Sequence, residues 1–200
     1  QGLPAALFPR PSFLLYTSPQ PLQPGARYPP MPLTRFPDHE DKRVFLSTIP
    51  ALNLPPAPAA FTDRPAVAVL WLEEGTQASQ ELSQEFAMAV IEKGGLAIVL
   101  GGGAAEGAAP VFDEAAAETV HAEREDEAVG IWTDPEASIE DLLFLAAEEA
   151  MPPDAFADQP WDIVVWARSG DPSIPKLRAA LNRLSAIVDE RYELGGEDEG

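Results

Sequence analysis

The sequence predicts an α/β protein in which a mostly parallel sheet lies between two layers of helices. From residue 66 onwards, short apolar runs alternate with longer segments of helical periodicity. Such apolar runs are typical of strands that are buried on both faces. Parallel strands joined by helices form right-handed crossovers, which place helices on both sides of the sheet. These observations together predict a Rossmann-like architecture with three αβα layers.

The first 65 residues differ from the rest, because proline recurs every few residues. Proline blocks helix interiors and central strands, yet apolar residues are too frequent here for a disordered linker. We therefore predict an extended proline-rich arm over residues 1–65, in which residues 43–49 form an edge strand. We expect residues 1–60 to be ordered and to contact the domain, a protein partner or a second subunit of a homo-oligomer.

Four strands and four helices are expected in the α/β domain at residues 66–194, which precedes an acidic flexible tail at residues 195–200. The strands are predicted at residues 66–72, 96–100, 128–133 and 161–167. The helices are predicted at residues 76–95, 104–123, 138–151 and 174–192. Two glycines end the first helix, and Ser138 with Asp141 resembles a capping box at the start of the third.

The chain is strongly acidic, with a formal net charge of −20 from 33 acidic and 13 basic residues. An acidic surface repels nucleic-acid phosphates and anionic lipids, so neither nucleic acid nor membrane is an expected partner. No apolar run approaches the roughly 20 residues of a membrane span, and prolines interrupt the region where a signal peptide needs an apolar helix. Cysteine is absent, which excludes thiol nucleophiles and cysteine-ligated metals. We expect a cytoplasmic protein with no cofactor and no metal.

Candidate binding residues follow from the topology, because ligands bind at the carboxyl ends of the strands in an open parallel sheet. The residues after each predicted strand would converge on one rim and form the candidate ligand site. These residues are Glu73, Glu74, Gly101, Gly102, Gly103, Gly107, Asp134, Arg168 and Ser169.

The glycines after the second strand are the strongest single signal in this set. Without side chains, Gly101, Gly102, Gly103 and Gly107 let backbone N–H groups approach an anion, and the helix that follows adds a favourable dipole. A tight turn from strand to helix explains the same glycines. Both interpretations stay open at this point.

A family resemblance begins with VAVLWLEEGTQASQELSQEFAMAVIEKGGLAIVLGGGAAEGA. This segment resembles the first half of the lonely-guy (LOG) family of nucleotide phosphoribohydrolases and related sensor domains. It shares the spacing of the first strand, the long helix and a strand that ends in Gly-Gly-Gly. The resemblance spans residues 66–184 and implies a Rossmann-like domain that binds nucleotides.

The second motif of that family is largely missing. DIVVWARSGDPSIPKL falls where the family carries Asp-Ala-Phe-Ile-x-Leu-Pro-Gly-Gly-x-Gly-Thr-x-x-Glu, whose glycines hold phosphate and whose glutamate assists glycosidic cleavage. Here only Gly170 is kept, and Pro175 or Lys176 stands at the glutamate position. The family's Arg-Lys pair on the preceding helix is also missing. The resemblance therefore implies a degenerate member without catalytic residues, and we predict no phosphoribohydrolase activity.

Acidic and histidine residues offer two other kinds of candidate site. LEEG and TDPEAS resemble the acidic motifs of Toprim domains, in which Glu73 or Glu74 with Asp134 and Glu136 would hold a magnesium ion. Toprim domains need a fuller Asp-x-Asp motif, and so acidic a protein is poorly suited to DNA. Neither His39 nor His121 has a nucleophile or a second histidine nearby in the sequence.

The sequence thus predicts a non-catalytic module that binds a nucleotide or phosphosugar at the Gly-rich turn. The first alternative is a structural or interaction protein with an empty site and an arm that docks on a partner. The second is a nucleotide-processing hydrolase that uses Glu73, Glu74 or Asp134.

Overall fold

Six strands form a single sheet in the computed structural model, which describes residues 33–50, 52, 56, 60–73, 82–119, 128–156 and 158–195. The strands are β1 (Thr34–Arg35), β2 (Arg43–Ile49), β3 (Ala66–Trp71), β4 (Gly95–Gly101), β5 (Gly130–Asp134) and β6 (Asp162–Arg168). The α-helices of the described residues are α1 (Gln84–Glu92), α2 (Ala105–Glu118), α3 (Ile139–Phe144), α4 (Ile174–Leu181) and α5 (Leu184–Gly195). A π-helical turn, Leu145–Glu149, continues α3, and a short 3₁₀ helix, Asp154–Phe156, precedes β6.

The strand order across the sheet is β1-β2-β6-β3-β4-β5. All neighbouring strands are parallel except β1, which pairs antiparallel with β2. These findings confirm an α/β fold with a mostly parallel sheet. The order β5-β4-β3-β6 corresponds to strands 3-2-1-4 of a doubly wound sheet, and β2 takes the next position. The topology is therefore compatible with the predicted Rossmann-like class.

The sheet has two apolar faces because successive strand residues point to opposite sides. On β3, Ala68 and Leu70 pack with α1 and α2, whereas Val67 and Val69 pack with α3, α4 and α5. All four side chains are fully buried. Since burying one large aliphatic side chain contributes about 1.5–3 kcal/mol, the near-continuous apolar runs of the central strands stabilise both layers.

The segment that the sequence assigns to the arm contributes two strands to the sheet. β2 pairs in register with β6 from Arg43 opposite Asp162 to Ile49 opposite Arg168. It lies between β1 and β6, so the expected edge strand is an internal strand. Phe36, in the same segment, joins the core on the α3–α5 side. Residues 1–32, which carry most of the prediction about the arm, lie outside the described residues.

The predicted closing helix is divided into α4 and α5. The side-chain amide of Asn182 donates to the carbonyl of Arg178 at 2.8 Å, and the backbone N–H of Asn182 donates to the same carbonyl at 3.1 Å. Asparagine side chains compete with helical hydrogen bonds in this way, which explains the break. The capping box is confirmed, because Ser138 and Asp141 bond reciprocally at the start of α3. No helix in the described part of the chain has the length and apolar character needed to cross a membrane.

Candidate functional site

A cleft opens at the carboxyl edge of the sheet, where the chain order reverses between β3 and β6. This is the position at which open α/β sheets bind their ligands. The cleft has a volume of about 490 Å³ and lies between the start of α3 and the length of α4. We call it the switch-point cleft. Its principal polar and aromatic residues are Trp71, Glu73, Glu140, Ser173, Lys176 and Arg183.

The floor of the switch-point cleft is held by a hydrogen bond between two elements. The hydroxyl of Ser173 donates to Oε1 of Glu73 at 2.5 Å, although Ser173 stands at the N-cap position of α4 and does not cap that helix. The backbone N–H of Ser173 donates to Oδ1 of Asp171 at 2.7 Å, so the serine is fixed from both sides. The Glu73 carboxylate therefore has a defined position beside Trp71.

Two basic side chains also line the switch-point cleft. Arg183 pairs with Glu190 at 2.7 Å and lies 3.7 Å from Glu140, so its charge is largely balanced. Lys176 is exposed on α4, and within the described residues no carboxylate lies within 4.0 Å of its Nζ. Lys176 thus offers an ammonium group to an anion in this cleft.

The Gly-rich turn lies directly beside this floor. A Cβ on Gly101 would lie 2.5 Å from the Leu142 side chain, and a Cβ on Gly102 would overlap the carbonyl of Leu72. The N–H of Ala104 donates to that same carbonyl at 3.1 Å. Leu72 lies between Trp71 and Glu73 in the chain, so the turn supports the residues of the cleft floor. Close packing is thus a sufficient reason for two of the glycines.

No protein-family profile matches the chain, and no curated protein matches it. The resemblance to the lonely-guy family stays a prediction.

The structure separates several residues that the sequence placed together on the rim. Oδ1 of Asp134 accepts from the backbone N–H groups of Glu136 and Ala137 at 3.0 and 2.9 Å, so it stabilises its own turn. Among described residues, Glu73, Asp134 and Glu136 form no group with ligand atoms within 4.8 Å of one another. The magnesium site that the Toprim motifs imply is therefore not formed by these three residues.

The structure places the remaining predicted rim residues in different parts of the carboxyl edge, or does not describe them. Gly103 and Gly107 are exposed at the start of α2. The backbone N–H of Ser169 donates to the carbonyl of Ile49 at 2.6 Å, and neither Ser169 nor Arg168 is among the described residues that line the switch-point cleft. Glu74 lies outside the described residues.

The residues that sequence reasoning missed are those on α4. Ser173 and Lys176 were aligned with the lost family motif and were not predicted to bind ligand. One signal was present, because a helix that follows the strand beside a switch point begins at the carboxyl edge. Its first turn therefore faces the candidate site.

Proposed function

We propose that the protein binds a phosphorylated small molecule, a nucleotide or phosphosugar, in the switch-point cleft without cleaving its glycosidic bond. The observation that carries the proposal is Lys176, which has no carboxylate partner among the described residues and lines a cleft at the expected ligand position of a doubly wound sheet. The strand order supports assignment to the Rossmann-like class. The proposal keeps the predicted ligand but places it in the cleft that the Gly-rich turn supports.

The lining of the switch-point cleft suits the parts of such a ligand. Lys176 supplies a positive charge for phosphate, and the Trp71 ring offers a flat surface for a base or a sugar. The Glu73 carboxylate, which accepts a hydrogen bond from Ser173, is an acceptor group of the type that binds ribose hydroxyls. A volume of about 490 Å³ lies within the range of small-molecule sites, roughly 300–1,000 Å³.

In this proposal, the positive charge of Lys176 in the cleft outweighs the long-range repulsion of an anion by the acidic surface. A net charge of −20 opposes anion binding at long range, but that field is screened beyond about 10 Å at 0.1 M salt. The contact between Lys176 and a phosphate is shorter than this screening length. The proposal therefore predicts measurable binding at moderate salt and weaker binding at very low salt.

Calorimetric titration tests the proposal with three probes: AMP, ribose 5-phosphate and inorganic phosphate. Lys176→Ala is expected to weaken binding about tenfold or more, since hydrogen bonds to charged groups contribute about 1.5–3 kcal/mol. The matched control is Lys93→Ala, which removes an exposed lysine at the end of α1, away from the carboxyl edge. Affinity should not change in that variant. Absence of binding by all three probes, or equal losses in the two variants, would overturn the proposal.

A further inference from the structure

A second polar cluster links the N-terminal strands to α3 and α5, on the face of the sheet opposite α1 and α2. Nδ1 of His39 lies 3.1 Å from Oγ of Ser185, and Nε2 lies 2.9 Å from Oε1 of Glu148. His39 and Ser185 are 146 residues apart in the sequence. The fold thus gives His39 the neighbouring nucleophile that its sequence context lacks.

The hydrogen-bond directions in this cluster follow from Glu148. An ionised carboxylate only accepts hydrogen bonds, so Nε2 of His39 carries a proton and donates it. In the neutral imidazole, Nδ1 is then an acceptor, and the hydroxyl of Ser185 donates to it. His39 is therefore oriented as a base toward a serine hydroxyl. This is the arrangement of a nucleophile, a base and an orienting acid.

The ionised state of Glu148 is supported by its surroundings. Burial alone would raise the pKa of this carboxyl, but hydrogen bonds from His39 and Tyr192, together with the charge of Lys42, outweigh it and lower the pKa below its ordinary value. The Tyr192 hydroxyl donates to Oε2 of Glu148 at 2.8 Å. Both carboxylate oxygens are thus occupied and the acid is held in place.

Ser185 differs from the rest of the cluster because it is exposed at a cavity. His39 is only 5% exposed, whereas Ser185 is exposed and lines a cavity of about 320 Å³ between Pro37 and the start of α5. The first i→i−4 hydrogen bond of α5 runs from Ile187 to Arg183. The amides of Ser185 and Ala186 precede that bond, so their N–H groups are oriented as those of a helix N-terminus. Such donors stabilise a developing oxyanion.

A metal site is the competing interpretation of the same cluster. Ligand atoms of His39, Glu40 and Glu148 lie within 4.8 Å of one another. However, Nζ of Lys42 lies 3.4 Å from Glu40 and 3.8 Å from Glu148, so an ammonium group already balances these carboxylates. A divalent cation would be repelled by this lysine. The cluster is therefore better suited to proton transfer.

The backbone at His39 is held by a strained turn. Glu40 has a φ of +52°, a left-handed conformation that residues other than glycine rarely adopt. Two backbone hydrogen bonds between His39 and Lys42, of 3.0 and 2.9 Å, close this turn. Strain of this kind is often retained where it positions a functional side chain.

We propose that Ser185, His39 and Glu148 form the catalytic triad of a hydrolase for carboxylic esters with small acyl groups. Oγ of Ser185 attacks the ester carbonyl while its proton passes to Nδ1 of His39, and Glu148 stabilises the imidazolium. Collapse of the tetrahedral intermediate breaks the C–O bond, and the departing alcohol takes the proton from His39. Water then attacks the acyl-serine with the same base and releases the carboxylic acid. The largely apolar lining of the cavity, formed by Pro37 and Leu184 among others, suits a short acyl chain.

A fluorophosphonate probe tests this site independently of the switch-point cleft. The Ser185 oxygen would displace fluoride from phosphorus and leave a stable adduct, detected by intact mass and located by peptide mapping. His39→Gln is expected to slow labelling at least about 100-fold, as general base catalysis contributes roughly 10²–10⁴-fold. Ser185→Ala is expected to abolish the adduct.

Ser83→Ala is the matched control, because it removes a serine hydroxyl that caps α1 and lies outside the cluster. This variant should label at the rate of the unaltered protein. Mapping of the adduct in the unaltered protein requires no substitution, so the test holds even if a variant fails to fold. An adduct on another residue, no adduct, or an unchanged rate in folded His39→Gln would overturn the proposal.

Discussion

Gly102 and Gly170 have nearly the same φ, +87° and +86°, in different surroundings. No heavy atom of the described residues lies within 4 Å of a Cβ built on Gly170, whereas the same atom on Gly102 would overlap Leu72. Gly170→Ala is therefore expected to lower the free energy of unfolding by about 1–2 kcal/mol, solely because alanine disfavours a positive φ. Gly102→Ala should lower the free energy of unfolding by about 1–3 kcal/mol more than Gly170→Ala does, because the turn must also move. Urea unfolding of the two variants measures the difference; equal losses would show that the Leu72 contact is unimportant.

The capping box of α3 contains a carboxylate whose stabilising effect depends on pH. The Ser138 hydroxyl donates to Asp141 at 2.6 Å. This hydrogen bond, opposed by partial burial and assisted by Arg191, lowers the pKa of Asp141 below its ordinary value of 3.8. Because the folded pKa is the lower one, the stabilisation is complete above pH 3.8 and is lost as the pH falls through the folded value.

Asp141→Asn should therefore be less stable than the unaltered protein at pH 7, by under about 1 kcal/mol because the ion pair is exposed to water. The difference in melting temperature should shrink as the pH falls below 3.8. Glu193→Gln removes an exposed carboxylate of α5 that lies outside the capping box, and it serves as the control. A difference that is constant with pH would contradict the assigned role.

At the scale of elements, an ion pair joins β2 to β6. Arg43 donates to both oxygens of Asp162, at 2.9 and 2.7 Å, and Asp162 is fully buried. Without Arg43, the nearest cation to Asp162 among described residues is Arg64, at 3.8 Å. Arg43→Met should therefore lower the free energy of unfolding by up to about 3–5 kcal/mol, because the buried carboxylate loses both close hydrogen bonds and keeps only the longer contact with Arg64.

Asp63→Asn is the control for this prediction, because Asp63 contacts the same arginine from an 82% exposed position. Water screens that contact, so the loss should be much smaller than in Arg43→Met. Urea unfolding measures both variants. If the two losses were similar, the pairing of β2 with β6 would not depend on the buried ion pair.

The strands β3, β4 and β6 could be predicted to within a few residues because each is an apolar run buried on both faces. The strand β5 was placed equally well from its short apolar run, although it is only partly buried at the end of the sheet. The position of β2 could not, since its sequence gives no information about which strand it pairs with. The division between α4 and α5 was also missed. It depends on a local hydrogen bond of Asn182, whose flanking residues keep a helical pattern.

The residues of the candidate sites could likewise be predicted only in part from the sequence. Topology alone placed Glu73 and the Gly-rich turn near the carboxyl edge. It could not show that Lys176 lines the cleft with no carboxylate partner in the described part of the chain, because that depends on where α4 packs. The pairing of His39 with Ser185 requires two segments at opposite ends of the described chain to meet. No local pattern carries this information.

For the whole molecule, mutual repulsion among acidic groups should dominate the response to salt. The chain has 33 acidic and 13 basic residues, so repulsive pairs outnumber attractive ones. Salt screens both, and the net effect should be stabilising. Raising the sodium chloride concentration from 10 to 500 mM shortens the Debye length from about 30 Å to under about 5 Å. The melting temperature should rise, by about 2–4 °C for each kcal/mol gained in the free energy of unfolding. An unchanged or lower melting temperature would show that the ion pairs outweigh the repulsion.

The position of β6 has a consequence for synthesis of the chain. Among the described strands this one comes last along the chain, yet it lies in the interior of the sheet, between β2 and β3. A nascent chain that has not yet reached Asp162 therefore has two strands, β2 and β3, each with an edge that faces a gap. Exposed strand edges recruit other chains and promote aggregation. The central part of the sheet can therefore be completed only after residues 162–168 have been synthesised, and a product truncated before Asp162 should aggregate rather than fold into a smaller domain.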